Sequence, residues 1–159
     1  MERLYIICVE DQKEVLNIIA EQLSYFEEHV SIEECETADE AFELLENLDS
    51  KGGKVAVVVS DHVMPGTSGV DFLVKIRSDD RFESVKKILL TGQATHMDTI
   101  AAINEAKIDN YIEKPWKEHE LIAKVSDLLT QFIIESGIDY EPYVEVLNKQ
   151  TLFDLLKVR

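Results

Sequence analysis

The run Val55-Ala56-Val57-Val58-Val59-Ser60-Asp61 constrains this chain more than any other stretch. Such an apolar, β-branched series, set between Gly52-Gly53 and Pro65-Gly66, predicts a strand buried on both faces. Asp61 then stands at the carboxyl end of that strand, where an open parallel sheet places its ligand crevice. Taken alone, an Asp in this place more often only starts a turn. Its neighbours in the fold have to decide.

The flanking pattern supplies them. Leu4–Val9 is a first apolar strand ending in Glu10-Asp11, and Val15, Leu16, Ile18, Ile19, Leu23 and Phe26 recur at helical spacing after it. Residues 30–36 alternate as a weaker strand, and Thr37 with Glu40 fits a capping box before the stripe Ala41, Phe42, Leu44, Leu45 and Leu48. Beyond the central strand, a helix carries Val70, Phe72, Leu73 and Ile76 to about Asp79. Lys87–Leu90 is a fourth strand running into Thr91-Gly92, followed by a helix over 97–106. The short strand Asn110–Glu113 meets Lys114-Pro115, and a helix over 117–135 turns Leu121, Ile122, Val125, Leu128, Leu129 and Phe132 inward. Strands alternating with helices imply right-handed crossovers and a doubly wound α/β sheet of five parallel strands.

After Ser136-Gly137 the alternation stops. Residues 1–136 therefore read as one domain and 137–159 as a C-terminal helical extension, starting near Pro142. Its apolar residues Tyr143, Val144, Val146, Leu147, Leu152, Phe153, Leu155 and Leu156 need cover. Dimerisation, docking on the preceding domain and service as the start of a linker all remain open.

Charge narrows the function classes. Sixteen Lys and Arg stand against 32 acidic residues, a formal net charge of −16, which repels nucleic-acid backbones. Cys8 and Cys35 fall in strands without ligand-like spacing and read as reduced, buried thiols. His29, His62, His96 and His119 are scattered and carry no metal-ligand spacing; His62 is expected to point away from Asp61. No signal peptide or membrane-length apolar run is visible, so a cytoplasmic protein is expected.

A parallel sheet brings all its carboxyl ends to one edge. That edge collects Glu10 and Asp11 from the first strand, Asp61 from the third, Thr91 from the fourth and Lys114 from the fifth. Gathered carboxylates repel one another unless a cation joins them, and an all-oxygen set suits Mg²⁺. A hydroxyl and an ammonium beside them suit phosphate oxygens. The combination points to a carboxylate nucleophile that accepts a phosphoryl group.

Residues 3–133 resemble the receiver domain of two-component response regulators. The resemblance is carried by Val9-Glu10-Asp11, by Ser60-Asp61-His62-Val63-Met64-Pro65-Gly66 with Gly69, by Leu90-Thr91-Gly92 and by Tyr111-Ile112-Glu113-Lys114-Pro115. It implies a flavodoxin-like strand order 2-1-3-4-5. By it Asp61 is the phosphoacceptor, charged by a sensor histidine kinase or phosphotransfer protein. Mg²⁺ is held by Glu10, Asp11, Asp61 and the backbone carbonyl of Val63. Thr91 and Lys114 contact the phosphoryl group, Tyr111 is the aromatic switch, and the Lys114-Pro115 bond is cis. A downstream protein would read the face formed by the fourth helix, fifth strand and fifth helix.

Glu10 stands where an Asp is commoner in this family. Val63 and Gln93 flank positions that influence attack of water on the acyl phosphate, and an apolar Val63 is expected to slow it. A phosphohydrolase using an aspartyl phosphate needs a second acid two residues past the nucleophile, where this chain has Val63. The chain is therefore expected to act as a switch and not as a turnover enzyme, with a phosphorylation-independent interaction module as the alternative. Trp116, next to Pro115, would anchor the last helix or serve a partner face.

Overall fold

The computed structural model describes residues 3–92 and 96–158. Five strands form one parallel sheet in the order β2-β1-β3-β4-β5: β1 Leu4–Val9, β2 Ser31–Cys35, β3 Lys54–Asp61, β4 Lys86–Thr91 and β5 Asn110–Glu113. The helices are α1 Lys13–Leu23, α2 Ala38–Ser50, α3 Gly69–Arg77, α4 Met97–Ala106, α5 Glu118–Glu135 and α6 Lys149–Lys157. The doubly wound architecture, the strand order and the C-terminal helices agree with expectation.

β3 lies at the centre, and every residue from Val55 to Asp61 is buried. Its two faces feed two separate cores. Ala56, Val57 and Val59 pack with α1 and α5, and Val55 and Val58 pack with α2 and α3. Burial of each of these valines contributes about 1.5–3 kcal/mol, and the polar residues of the strand stand at its two ends.

Local signals set the helix boundaries. Thr37 Oγ1 accepts from the Glu40 N–H at 3.1 Å, while the Glu40 carboxylate returns to the N–H of Glu36, one residue before the cap. Ser68 caps α3 by accepting from the Asp71 N–H. The first helical stripe is narrower than its spacing suggests: α1 stops at Leu23, a 3₁₀ turn continues over Ser24–Phe26, and Ile18 is half exposed. Cys8 and Cys35 are buried free thiols, and burial pushes the Cys35 thiol up to about 12.

The extension docks on the α1–α5 side. Gly137, at φ +71, turns the chain out of α5, and a 3₁₀ helix over Glu141–Val146 with Pro142 near its start leads towards α6. Tyr143, Val146, Leu147 and Leu152 join the same core as Phe26, Val125, Leu129 and Ile133. Polar contacts fix the register: Ser126 Oγ donates to the Val146 carbonyl at 2.8 Å, and Thr130 Oγ1 accepts from the Asn148 N–H at 2.9 Å. Val144, Phe153 and Leu156 stay exposed, so only part of the apolar stripe is covered by this docking. Trp116 is also tied to this side, its indole N–H donating to Gln22 Oε1 of α1 at 2.8 Å. No helix among the described residues is long and apolar enough to cross a membrane.

Candidate functional site

Strand register assembles the site. Val9 pairs with Ser60, Asp61 with Leu90, and Thr91 with Glu113. The residues just past those pairs therefore share one edge, and Lys114 is held there by its N–H bond to the Thr91 carbonyl at 2.9 Å. The Lys114-Pro115 bond that follows is cis.

Glu10, Asp11 and Asp61 each offer a carboxylate oxygen within 4.8 Å of the others. Glu10 and Asp61 are buried, and Asp11 is half-buried. Lys114 Nζ forms an ion pair with Asp61 and lies 3.8 Å from Glu10 Oε1. Glu10 Oε2 accepts from the Gln12 N–H at 3.0 Å. Its Oε1 is buried and, among the described residues, the one such side-chain atom without a hydrogen-bond partner. Burial, and after it the nearby Asp61 charge, push the Glu10 carboxyl up to about 6, while the Gln12 N–H and Lys114 pull the other way. One ammonium does not neutralise three carboxylates. An all-oxygen donor set with an orphaned buried oxygen fits a hard divalent cation such as Mg²⁺.

An open cleft of about 740 Å³ lies over these groups, bordered by Asp11, Asp61, His62, Val63, Thr91 and Lys114. Val63 is 72% exposed at its rim. The loop beneath the cleft depends on two glycines. Gly66 adopts φ +78, and Gly69 lies against the backbone of Asp61, its N–H donating to the His62 carbonyl at 3.0 Å.

His62 departs from expectation. Its Nδ1 lies 2.8 Å from Thr91 Oγ1, so the imidazole enters the site and does not stand apart from it. Burial lowers its proton affinity, partly offset by Asp61. The alternation that sends residue i+1 to the opposite face fails here because β3 ends at Asp61 and the chain bends at His62. Only the position next to Asp61 hinted at this. His29 lies near the surface beside Glu28, with its Nε2 3.7 Å from Glu145 Oε2 of the docked extension, in keeping with a surface role. Tyr111 is 40% exposed on β5, with Lys124 Nζ bonded to its carbonyl at 2.7 Å and standing 5.4 Å from the ring centre. Gln93 lies outside the described residues.

Residues 6–126 match the family model of the response regulator receiver domain. The hydrogenase transcriptional regulatory protein HoxA of Cupriavidus necator is 33% identical over 105 residues, which are 66% of this chain and 20% of that protein. Chemotaxis protein CheY1 of Helicobacter pylori is 32% identical over 125 residues, 78% of this chain and 95% of that protein. Among solved structures, the signal receiver domain of an HD domain-containing protein from Pseudomonas fluorescens Pf-5 superposes with a TM-score of 0.70 at 28% identity, covering 82% of this chain and 98% of that one.

Proposed function

This chain belongs to the response regulator receiver domain family of two-component signalling, and from that premise we propose that it is a phosphorylation-controlled switch whose acceptor is Asp61. The observation that carries the proposal is the placement of Asp61, buried beside Glu10 and Asp11 and paired with Lys114 at the mouth of an open cleft.

A sensor histidine kinase or phosphotransfer protein is the donor. An Asp61 carboxylate oxygen forms a P–O bond as the donor's P–N bond breaks; the electron pair leaves with the imidazole nitrogen, which takes up a proton. Glu10, Asp11, Asp61 and the Val63 carbonyl would hold Mg²⁺, which neutralises charge on the transferring group. Lys114 moves from pairing the free carboxylate to pairing the phosphoryl oxygens. Thr91 supplies a hydroxyl to the same group, and Tyr111 turns inward as Thr91 moves.

The product is a conformation, read by a downstream protein on the face of α4, β5 and α5. Residues 1–136 act as the receiver unit and 137–159 as an extension fastened to its α1–α5 side, in a cytoplasmic protein that does not bind nucleic acid directly. The extension's exposed Phe153 and Leu156 leave self-association open to it.

Incubation with Mg²⁺ and acetyl phosphate tests the proposal. One hydroxylamine-labile phosphate per chain is expected, absent in Asp61→Asn and absent when Mg²⁺ is chelated. Continuous release of phosphate would identify a hydrolase, and an unlabelled wild type an interaction module.

A further inference from the structure

We propose that His62 is a latch on Thr91: its imidazole engages the Thr91 hydroxyl in the unmodified protein, and phosphorylation of Asp61 has to break that bond to recruit Thr91. The inference rests on Asp61 being the phosphoacceptor and adds the regulation of that site by a residue outside the acceptor set.

The geometry is specific. His62 Nδ1 and Thr91 Oγ1 are 2.8 Å apart, and Thr91 is fully buried. The ring is aimed from a pinned backbone, because the His62 N–H donates to the Leu90 carbonyl and the His62 carbonyl accepts from the Gly69 N–H, each at 3.0 Å. A threonine hydroxyl carries one proton, and its position is set by a single rotatable bond. The latch takes the tautomer with the ring proton on Nε2, in which the Thr91 hydroxyl donates to Nδ1 and Oγ1 is held in the rotamer that faces the ring.

A phosphoryl oxygen on Asp61, the residue preceding His62, is a charged and stronger acceptor for the same hydroxyl. The phosphoryl oxygen and His62 Nδ1 are rival acceptors for the Thr91 hydroxyl proton. The bond to His62 thus favours the unphosphorylated arrangement, and by linkage weakens whatever stands in the phosphoryl position. A single net hydrogen bond of this kind corresponds to about twofold to tenfold in affinity. His62 is on this account a positioning residue that acts through Thr91.

The test is a ¹⁹F NMR titration of the full chain with Mg²⁺ and beryllofluoride, a small anion that occupies the place of an acyl phosphate. His62→Ala is expected to bind it about twofold to tenfold more tightly than wild type. His62→Leu, which keeps volume without the bond, is expected to match Ala. His62→Asn, whose amide oxygen takes the place of Nδ1, is expected to stay at the wild-type affinity. In a Thr91→Ala background, His62→Ala is expected to change nothing. Unchanged or weaker binding by both His62→Ala and His62→Leu overturns the latch, as does equal tightening without Thr91. A wild type that binds no beryllofluoride overturns the acceptor assignment at Asp61 and the latch together.

Discussion

Gly69 lies so close to Asp61 that a Cβ in its place would sit 1.8 Å from the Asp61 carbonyl oxygen and 3.1 Å from the Cα of His62. The obstructing atoms are backbone, at the end of the central strand, and cannot swing aside. Gly69→Ala is therefore expected to destabilise the protein by about 2–3 kcal/mol. It should also slow labelling by acetyl phosphate, because relief of the clash moves Asp61. Urea denaturation alongside the labelling rate checks both; stability within about 0.5 kcal/mol of wild type, the range of an ordinary surface change, would contradict the close approach.

Glu10 makes the metal-free protein sensitive to pH. Its carboxyl is pushed from 4.5 to about 6 by burial first and the Asp61 charge next. The folded state therefore binds this proton more tightly than the unfolded state does. The stability it contributes is complete below pH 4.5 and is lost as pH rises through about 6. Without Mg²⁺, Glu10→Gln is expected to be more stable than wild type at pH 7.5 by about 2 kcal/mol, with the gap closing as the pH falls towards 4.5. Mg²⁺ at a hundred times its dissociation constant adds about 2.7 kcal/mol to the wild type and should narrow the gap. Denaturant titrations across pH, with and without Mg²⁺, measure all of this.

Tyr143 fastens the extension. It is fully buried among residues of α1 and α5, although it lies beyond the alternating part of the chain. Tyr143→Ala is expected to cost about 3–5 kcal/mol, as for other large aromatic truncations, whereas Phe153→Ala, on the exposed face of α6, should cost under about 0.5 kcal/mol. Thermal unfolding of the two variants separates a docked extension from a loosely attached one, which would show equal small losses.

Val63 presents an apolar, 72% exposed side chain at the rim of the cleft. It offers no hydrogen bond to a water approaching the acyl phosphate. Val63→Asn is expected to shorten the phosphoprotein half-life by about twofold to tenfold, the worth of one net hydrogen bond. A chase of labelled protein after removal of the donor measures it, and equal half-lives would remove the idea.

Much of this protein was legible in one dimension. Strands and helices followed from apolar periodicity, because which face of an element is buried is encoded in spacing along the chain. The edge site followed from parallel topology, which sends every strand's carboxyl end the same way and so gathers Glu10, Asp11, Asp61, Thr91 and Lys114. Two things waited for the tertiary structure. The direction of His62 depends on how the chain bends after β3 and on the β3–β4 register that brings Thr91 alongside, and neither is written in the alternation of a strand that has already ended. The register in which the extension docks depends on Ser126 and Thr130, which are polar residues on α5 with no apolar signal, meeting the carbonyl of Val146 and the N–H of Asn148. Sequence spacing determines what an element buries; only packing decides which distant polar partner it meets.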